Sequence, residues 1–210
     1  MTDFLNFIAD LKEKLNMPLP GINSQLKMAT IGRLIKDGKQ VVPEDVRKAG
    51  VLVLFYPIRQ DVHLALIKRA EYPGVHSGQI SFPGGGWEAH DEDIIATALR
   101  EAEEETGVRR HSVVTIGRLT DLFIPPSNFL VTPVVAYSLS RPDFIADPEE
   151  VDSILDISFE VLLKEETKQE KEISIFPAIN IKVPSYYVDG HIIWGATAMI
   201  ISELIDVFSQ

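Results

Sequence analysis

Residues 101–105 read Glu-Ala-Glu-Glu-Glu, preceded by Arg100 and followed by Thr106 and Gly107. Like charges at helical neighbour spacing repel by roughly a few tenths of a kcal/mol per pair, so solvent or a cation has to compensate. On a helix turning about 100° per residue, Glu101, Glu104 and Glu105 share one arc roughly 100° wide. Ile95, Leu99 and Ala102 lie beside that arc, on the side expected to face the core. Hard divalent cations take oxygen ligands, and Mg²⁺ is commonly held by a few carboxylates and the phosphate of a substrate. Glu101 and Glu105, one turn apart, can reach one ion; Glu104 can reach the same ion or a second. The glycine run Gly84–Gly86 lies upstream. It lets backbone approach a ligand closely, and its carbonyls are further oxygen donors. Arg100 is placed either to brace the glutamates or to meet a phosphate.

The whole stretch resembles the Nudix box, G-x5-E-x7-R-E-U-x-E-E-x-G-U, with U a bulky or aliphatic residue. Gly86, Glu92, Arg100, Glu101, Glu104, Glu105 and Gly107 match, Val108 is the final U, and Ala102 is a small U. With residue frequencies of roughly 5–7%, the chance of such a match anywhere in the chain is on the order of 10⁻⁶. The resemblance implies a Nudix hydrolase: an α+β chain folded as an α/β/α sandwich with a mixed β-sheet. The implied reaction is hydrolysis of a nucleoside diphosphate linked to another group, with Mg²⁺ or Mn²⁺. Carried over from the box, Glu101, Glu104 and Glu105 are metal ligands and Gly85 the metal-facing carbonyl, Gly86 being the alternative. Glu101 is also a candidate general base, with Glu92 and Arg100 supporting. A glutamate outside the box often assists in the family; Glu149 and Glu150 are the candidates, with Glu150 preferred.

Just upstream, Leu66 to Gly86 reads LIKRAEYPGVHSGQISFPGGG. It is similar to the segment preceding the box in coenzyme A pyrophosphatases, roughly L-L-T-x-R-S-x(5)-H-x-G-x(3)-F-P-G-G. Arg69, His76, Gly78, Phe82, Pro83, Gly84 and Gly85 match; Ala70 stands where that pattern has Ser, and Gly74, two residues before His76, stands where the subfamily carries an Arg. The span from Gly85 to Arg100 is one residue longer than the general box requires, as in that subfamily. The resemblance thus implies cleavage of coenzyme A or acyl-coenzyme A to 3′,5′-ADP and (acyl-)4′-phosphopantetheine. ADP-ribose or another nucleoside-diphosphate-linked compound is the alternative substrate, and a non-catalytic Nudix-fold sensor the alternative class. Arg69, His76, Phe82, Ser127 and Asn128 are the candidate substrate contacts, and Lys68 with Arg69 and His76 the candidate phosphate contacts.

These groups must be positioned by strands and few helices. Residues 3–16 carry apolar positions at helical spacing; 17–25 read as loop, and 26–48 show no clear pattern. Residues 49–58 and 62–70 form a hairpin pattern, followed by a loop and a short strand at 80–82. A helix is expected over 91–106, with Asp91 as N-cap and Gly107 ending it. Strands are expected at 111–120 and 130–139, with a proline loop between, and 148–157 reads as another strand or turn. A short helix follows near 159, then strands that turn at Asp189-Gly190, and a last helix at 196–208. Residues 1–45 are expected to be an N-terminal helical extension packed on the core, and 46–210 the catalytic domain. The late aromatics Tyr186, Tyr187 and Trp194 are expected to pack.

The 210 residues, 45% hydrophobic and 24% charged, suit one globular domain with an extension. A net charge of −11 excludes attraction to a nucleic-acid backbone by bulk electrostatics, so an anionic substrate needs a local cation. No Cys is present, which excludes thiolate chemistry, and no apolar run suits a membrane span. With no export signal read at the N-terminus, a cytoplasmic location is expected; a small-molecule nucleotide is the expected partner, and a homodimer follows only from the resemblance. G-x-x-x-x-G-K-[ST] is lacking, so a P-loop is unsupported.

Overall fold

A computed structural model of the chain describes residues 2–30, 35–36, 39–71, 77–174 and 180–210. The N-terminal part holds helices α1 (Thr2–Leu15) and α2 (Ile22–Gln25) and a small ribbon, β1 (Ile35–Lys36) with β2 (Lys39–Gln40). The central part holds β3 (Arg47–Ile58), β4 (Asp61–Arg69), β5 (Ile80–Ser81), β6 (Gly84–Gly86), α3 (Ile94–Thr106), β7 (Val114–Arg118), β8 (Leu122–Ile124), β9 (Phe129–Tyr137), β10 (Val151–Ser158) and α4 (Phe159–Leu162). The C-terminal part holds β11 (Lys168–Ser174), β12 (Asn180–Val188), β13 (His191–Trp194) and α5 (Gly195–Phe208).

The strand run at 49–58 is apolar on both faces because β3 lies in the middle of the molecule. It pairs parallel with β9 and antiparallel with β4, in the order β10-β4-β3-β9-β7, giving a mixed sheet. The side chains of a strand alternate between faces. Leu52, Leu54 and Tyr56 therefore pack under α3 with Ala98 and Ala102, while Val53 and Phe55 join α1 and α5 on the other face. Helices thus cover both faces of the mixed sheet, the α+β arrangement expected. Phe7 fastens the second layer, its ring centroid 5.3 Å from Phe55, 5.6 Å from Phe159 and 5.3 Å from Phe208. A separate sheet, β11-β12-β13, turns at Asp189 and Gly190, both with positive φ, where the hairpin was expected. Among the described residues no helix is long and apolar enough to cross a membrane.

Three stretches differ from expectation. The 17–25 loop contains α2, which is short and has no periodicity to betray it. It is held from outside: Gln25 donates to Glu203 on α5 at 2.8 Å, and Ser202 donates to the Ser24 carbonyl at 2.8 Å. The proline loop after residue 120 contains β8, paired to β9, and a 3-10 turn at Pro125–Ser127. The third is the start of α3. Its N-cap is Asp93, which accepts from the Ala96 N–H at 2.8 Å, rather than Asp91; its end at Gly107, with φ of 72°, is as expected.

The helix lies unusually close to the sheet at Gly50. A Cβ there would stand 2.7 Å from the Ile94 carbonyl oxygen and 3.0 Å from the Ala98 nitrogen, both backbone atoms that cannot yield without moving α3. Gly50→Val is therefore expected to lower unfolding free energy by about 1–3 kcal/mol or more, in the range of overpacked cores. Urea denaturation against wild type checks this.

Candidate active site

The arc of α3 that carries the carboxylates faces protein. Ala98 and Ala102 bring α3 onto β3, and β6 runs antiparallel to β3 with Gly85 opposite Gly50. Glu101 then lies directly over Gly85: a Cβ at that glycine would fall on the Glu101 carboxylate. Glu105 is 2% exposed and accepts the Gly84 N–H at 2.8 Å and the Arg69 guanidinium at 3.2 Å. Glu104 points outward, its side chain 59% exposed. The helix thus presents Glu101 and Glu105 to the glycine strand and Glu104 to solvent.

Arg100 binds this arrangement together. It is buried, and its Nε and Nη2 form a two-pronged pair with Asp91 at 2.8 and 2.9 Å. Nη2 also donates to the Gly86 carbonyl at 3.0 Å, and Nη1 reaches Glu101 at 2.9 Å and Glu104 at 3.0 Å. These five contacts match the five N–H groups of a guanidinium, so none is left for a phosphate. Of the two roles open for Arg100, the structure shows bracing. Asp91 is 8% exposed and also accepts from the Glu88 N–H and the Thr97 hydroxyl, each at 3.0 Å. Its hydrogen bonds from Arg100 hold its carboxyl well below the usual range. Glu92, the acid at the box position, is exposed; the buried partner of Arg100 is its neighbour. Asp91 carried a capping role in the sequence, and only its distance to Arg100 reveals the other.

Burial pushes the Glu105 carboxyl up to about 7, against the hydrogen bond from Gly84 and the charge of Arg69; Glu150 and Glu101 push it further up. Burial raises Glu101 too, partly offset by Arg100 and reinforced by Glu104 and Glu150. Glu150 is thereby placed within the field of both carboxylates. Its own carbonyl accepts from the Ala70 N–H at 2.9 Å, and Asp147 N–H binds the Glu105 carbonyl at 3.0 Å, fastening this loop to the end of α3 and the residue after β4.

The candidate metal donors, Glu101, Glu104, Glu105 and the Gly85 carbonyl, are all oxygens, which suits Mg²⁺ or Mn²⁺ over softer ions. A cation would offset the burial that raises Glu101 and Glu105 and the neighbouring negative charge that adds to it. Among the described residues no three acidic or histidine side chains already converge on one point. Mg²⁺ does not require that, since it commonly keeps one or two carboxylates and completes its shell with water and substrate oxygens.

On the other side of β6 opens a cavity of about 670 Å³, walled by Gly84–Gly86, Arg69, Ala49, Val51, Phe82, Ser127 and Phe129, and closed by Ile181, Trp194 and Ile200 from the C-terminal part. Of the sequence candidates, Arg69 lines it while pairing with Glu105, Ser127 lines it, and Phe82 is a buried part of its wall. Asn128 is turned elsewhere, donating to the Asp45 carbonyl at 3.2 Å. His76 lies outside the described residues. Lys68 pairs with Asp152 at 3.1 Å. Trp194, expected only to pack, lines the cavity; Tyr186 is core and Tyr187 sits under Lys171.

Known proteins resemble the chain in sequence and fold. Residues 46–177 match the NUDIX domain. Nudix hydrolase 22, chloroplastic, of Arabidopsis thaliana is 35% identical over 170 residues, covering 78% of this chain and 56% of the relative, so the chain spans just over half that protein's length. An uncharacterized Nudix hydrolase, NudL of Yersinia pestis (strain Pestoides F), is 35% identical over 160 residues, covering 75% of this chain and 78% of the relative. In fold, a MutT/nudix family protein from Enterococcus faecalis superposes with a TM-score of 0.50 at 16% identity, over 81% of this chain and 66% of that one.

Asp91→Ala strands Arg100 as a buried, half-paired cation and is expected to cost about 3–5 kcal/mol, whereas Glu92→Ala stays within about 0.5 kcal/mol. Chemical denaturation of both variants separates the two acids. A second expectation concerns pH. The folded value of Glu105, about 7, lies above its unfolded value near 4.5, so ionising this group opposes folding. Without divalent cations, the contribution of this group to stability is expected to fall as pH rises from about 4.5 to about 7, by about 1.4 kcal/mol per pH unit at most, then level off. Melting curves across that range should show a shallower decline in Glu105→Gln, and equal slopes would refute the assignment.

Proposed function

The chain belongs to the Nudix hydrolase family, and from that premise we propose that it hydrolyses the diphosphate bond of coenzyme A or an acyl-coenzyme A. The observation that carries this reading is the seating of Glu101 and Glu105 behind Gly84–Gly86, the strand that also walls the cavity. A scissile diphosphate lying along the glycines has acidic groups on one side and a long, largely apolar chamber on the other. Phe129, Ile181, Trp194 and Ile200 suit a pantetheine arm with or without an acyl group. The stretch Leu66–Gly86 and the long Gly85–Arg100 interval point to the same substrate.

Water attacks one phosphorus, the bond from that phosphorus to the bridging oxygen breaks, and 3′,5′-ADP and (acyl-)4′-phosphopantetheine result. A bound Mg²⁺ or Mn²⁺ would offset diphosphate charge and make a bound water more acidic. Glu101, Glu105 and the Gly85 carbonyl would hold the ion, with Glu104 as a further candidate ligand. Glu101, with its raised proton affinity, accepts the proton of the attacking water. Glu150 stands by as the acid outside the box. Arg100 and Arg69 hold Glu101 and Glu105 in place; the N-terminal residues 1–45 and the C-terminal strands are proposed to serve as support and chamber wall for the domain starting at residue 46.

Purified protein incubated with Mg²⁺ and, separately, coenzyme A, acetyl-coenzyme A, ADP-ribose, NADH and a diadenosine polyphosphate is expected to release 3′,5′-ADP from the first two. Chromatography of the products checks this; turnover of ADP-ribose alone would move the assignment to that substrate. Chelation should abolish turnover. Glu101→Gln and Glu105→Gln are each expected to lower kcat by about 10²–10⁴-fold with the fold retained by circular dichroism.

A further inference from the structure

Resting on the substrate class just proposed, we infer that Arg47, set over the Phe129 ring beside the cavity, receives a second phosphate group of the substrate, separate from the diphosphate that is cleaved.

The placement follows from strand geometry. Alternate residues of β3 share a face. Val51 and Ala49 line the cavity, and Arg47 is the next residue on that face, at the N-terminal end of the strand. The parallel register sets Arg47 opposite Phe129 and Ala49 opposite Val131, and both of those β9 residues line the cavity as well. The guanidinium carbon of Arg47 stands 4.0 Å from the centre of the Phe129 ring. That ring in turn abuts Gly86: a Cβ added to the glycine would be 3.7 Å from its edge. Arg47, Phe129 and Gly86 therefore follow one another in contact, the last two lining the cavity and Arg47 beside it.

The chemistry is that of an anion site. A guanidinium stacked on a ring is oriented by its flat face and keeps its in-plane N–H donors for a phosphate. Its backbone is anchored too, since the Arg47 N–H binds the Asn128 carbonyl at 3.0 Å, tying it to the turn that carries Ser127. Among the described residues no carboxylate pairs with Arg47. Among the described residues, the cations that the sequence nominated are engaged: Lys68 with Asp152, Arg69 with Glu105, and Arg100 with Asp91, Glu101 and Glu104. In a chain of net charge −11, a phosphate far from any metal needs such a local cation. On the proposed substrate, that group is the ribose 3′-phosphate.

The test is calorimetric binding of 3′,5′-ADP and 5′-AMP, which differ only in that phosphate, to wild type, Arg47→Gln and Arg47→Lys. Wild type is expected to favour 3′,5′-ADP by about tenfold or more, the usual scale for a charged hydrogen bond. Arg47→Gln should erase the preference and Arg47→Lys keep part of it. No preference in wild type, or one unchanged in Arg47→Gln, overturns the inference. Coenzyme A cleavage on the same samples separates it from the parent reading. Cleavage without an Arg47-dependent preference sinks this site alone, and a preference lost in Arg47→Gln without cleavage sinks the hydrolase assignment alone.

Discussion

The guanidinium of Arg100 is the interaction on which the rest of the site depends. It lies buried between α3 and the loop before it, and each of its five donors has an acceptor within the chain. Those acceptors come from three parts of the structure: Asp91 from the loop, Glu101 and Glu104 from α3, and the Gly86 carbonyl from β6. One charged group thereby sets the distance between the acidic helix and the glycine strand. It also keeps two glutamates from being driven apart by their own repulsion. A buried ion pair of this kind is weak evidence for net stability, because desolvation opposes it. What it supplies here is position.

That position is possible only because two glycines remove side chains from the contact. Gly50 lets the backbone of α3 rest on β3, and Gly85 leaves room for the Glu101 carboxylate. The acids are then pressed into a partly dry interface, and burial raises the proton affinity of Glu101 and Glu105. Close packing and electrostatics are one effect at this point: tighter contact gives drier carboxylates, and drier carboxylates gain more from a neighbouring cation. The same glycine strand is the wall of the cavity, so the packing that dries the acids also sets them directly behind that wall.

The cavity is finished by parts of the chain distant in sequence. β3 and β9 supply one wall through their shared face, β6 another, and Ile181, Trp194 and Ile200 close it from the C-terminal sheet and α5. α5 is itself held by α1 and α2, through Phe7 on Phe208 and Gln25 on Glu203. The N-terminal helices thus support the chamber wall from the core on the face of the sheet opposite the acidic helix.

Much was legible in the sequence wherever the signal was local. The spacing of Arg100, Glu101, Glu104 and Glu105, the hairpin at Asp189-Gly190, the apolar run of β3 and the end of α3 at Gly107 all depend on neighbours a few residues away, and each is where it was expected. The family and its mixed-sheet sandwich were implied by the resemblance of the box residues to the Nudix box. What the sequence could not decide were contacts across the fold. Asp91 and Glu92 are adjacent acids, and only the path of the loop into α3 determines that Asp91 meets Arg100. α2 and β8 have too few residues for a period and exist because α5 and β9 hold them. Lys68 and Arg69 looked free for phosphate until β10 brought Asp152 and α3 brought Glu105 beside them, and Arg47 drew no notice until β9 laid Phe129 under it. Periodicity and box spacing are properties of a chain; the pairing of charges is a property of surfaces brought together, and only the tertiary structure supplies those.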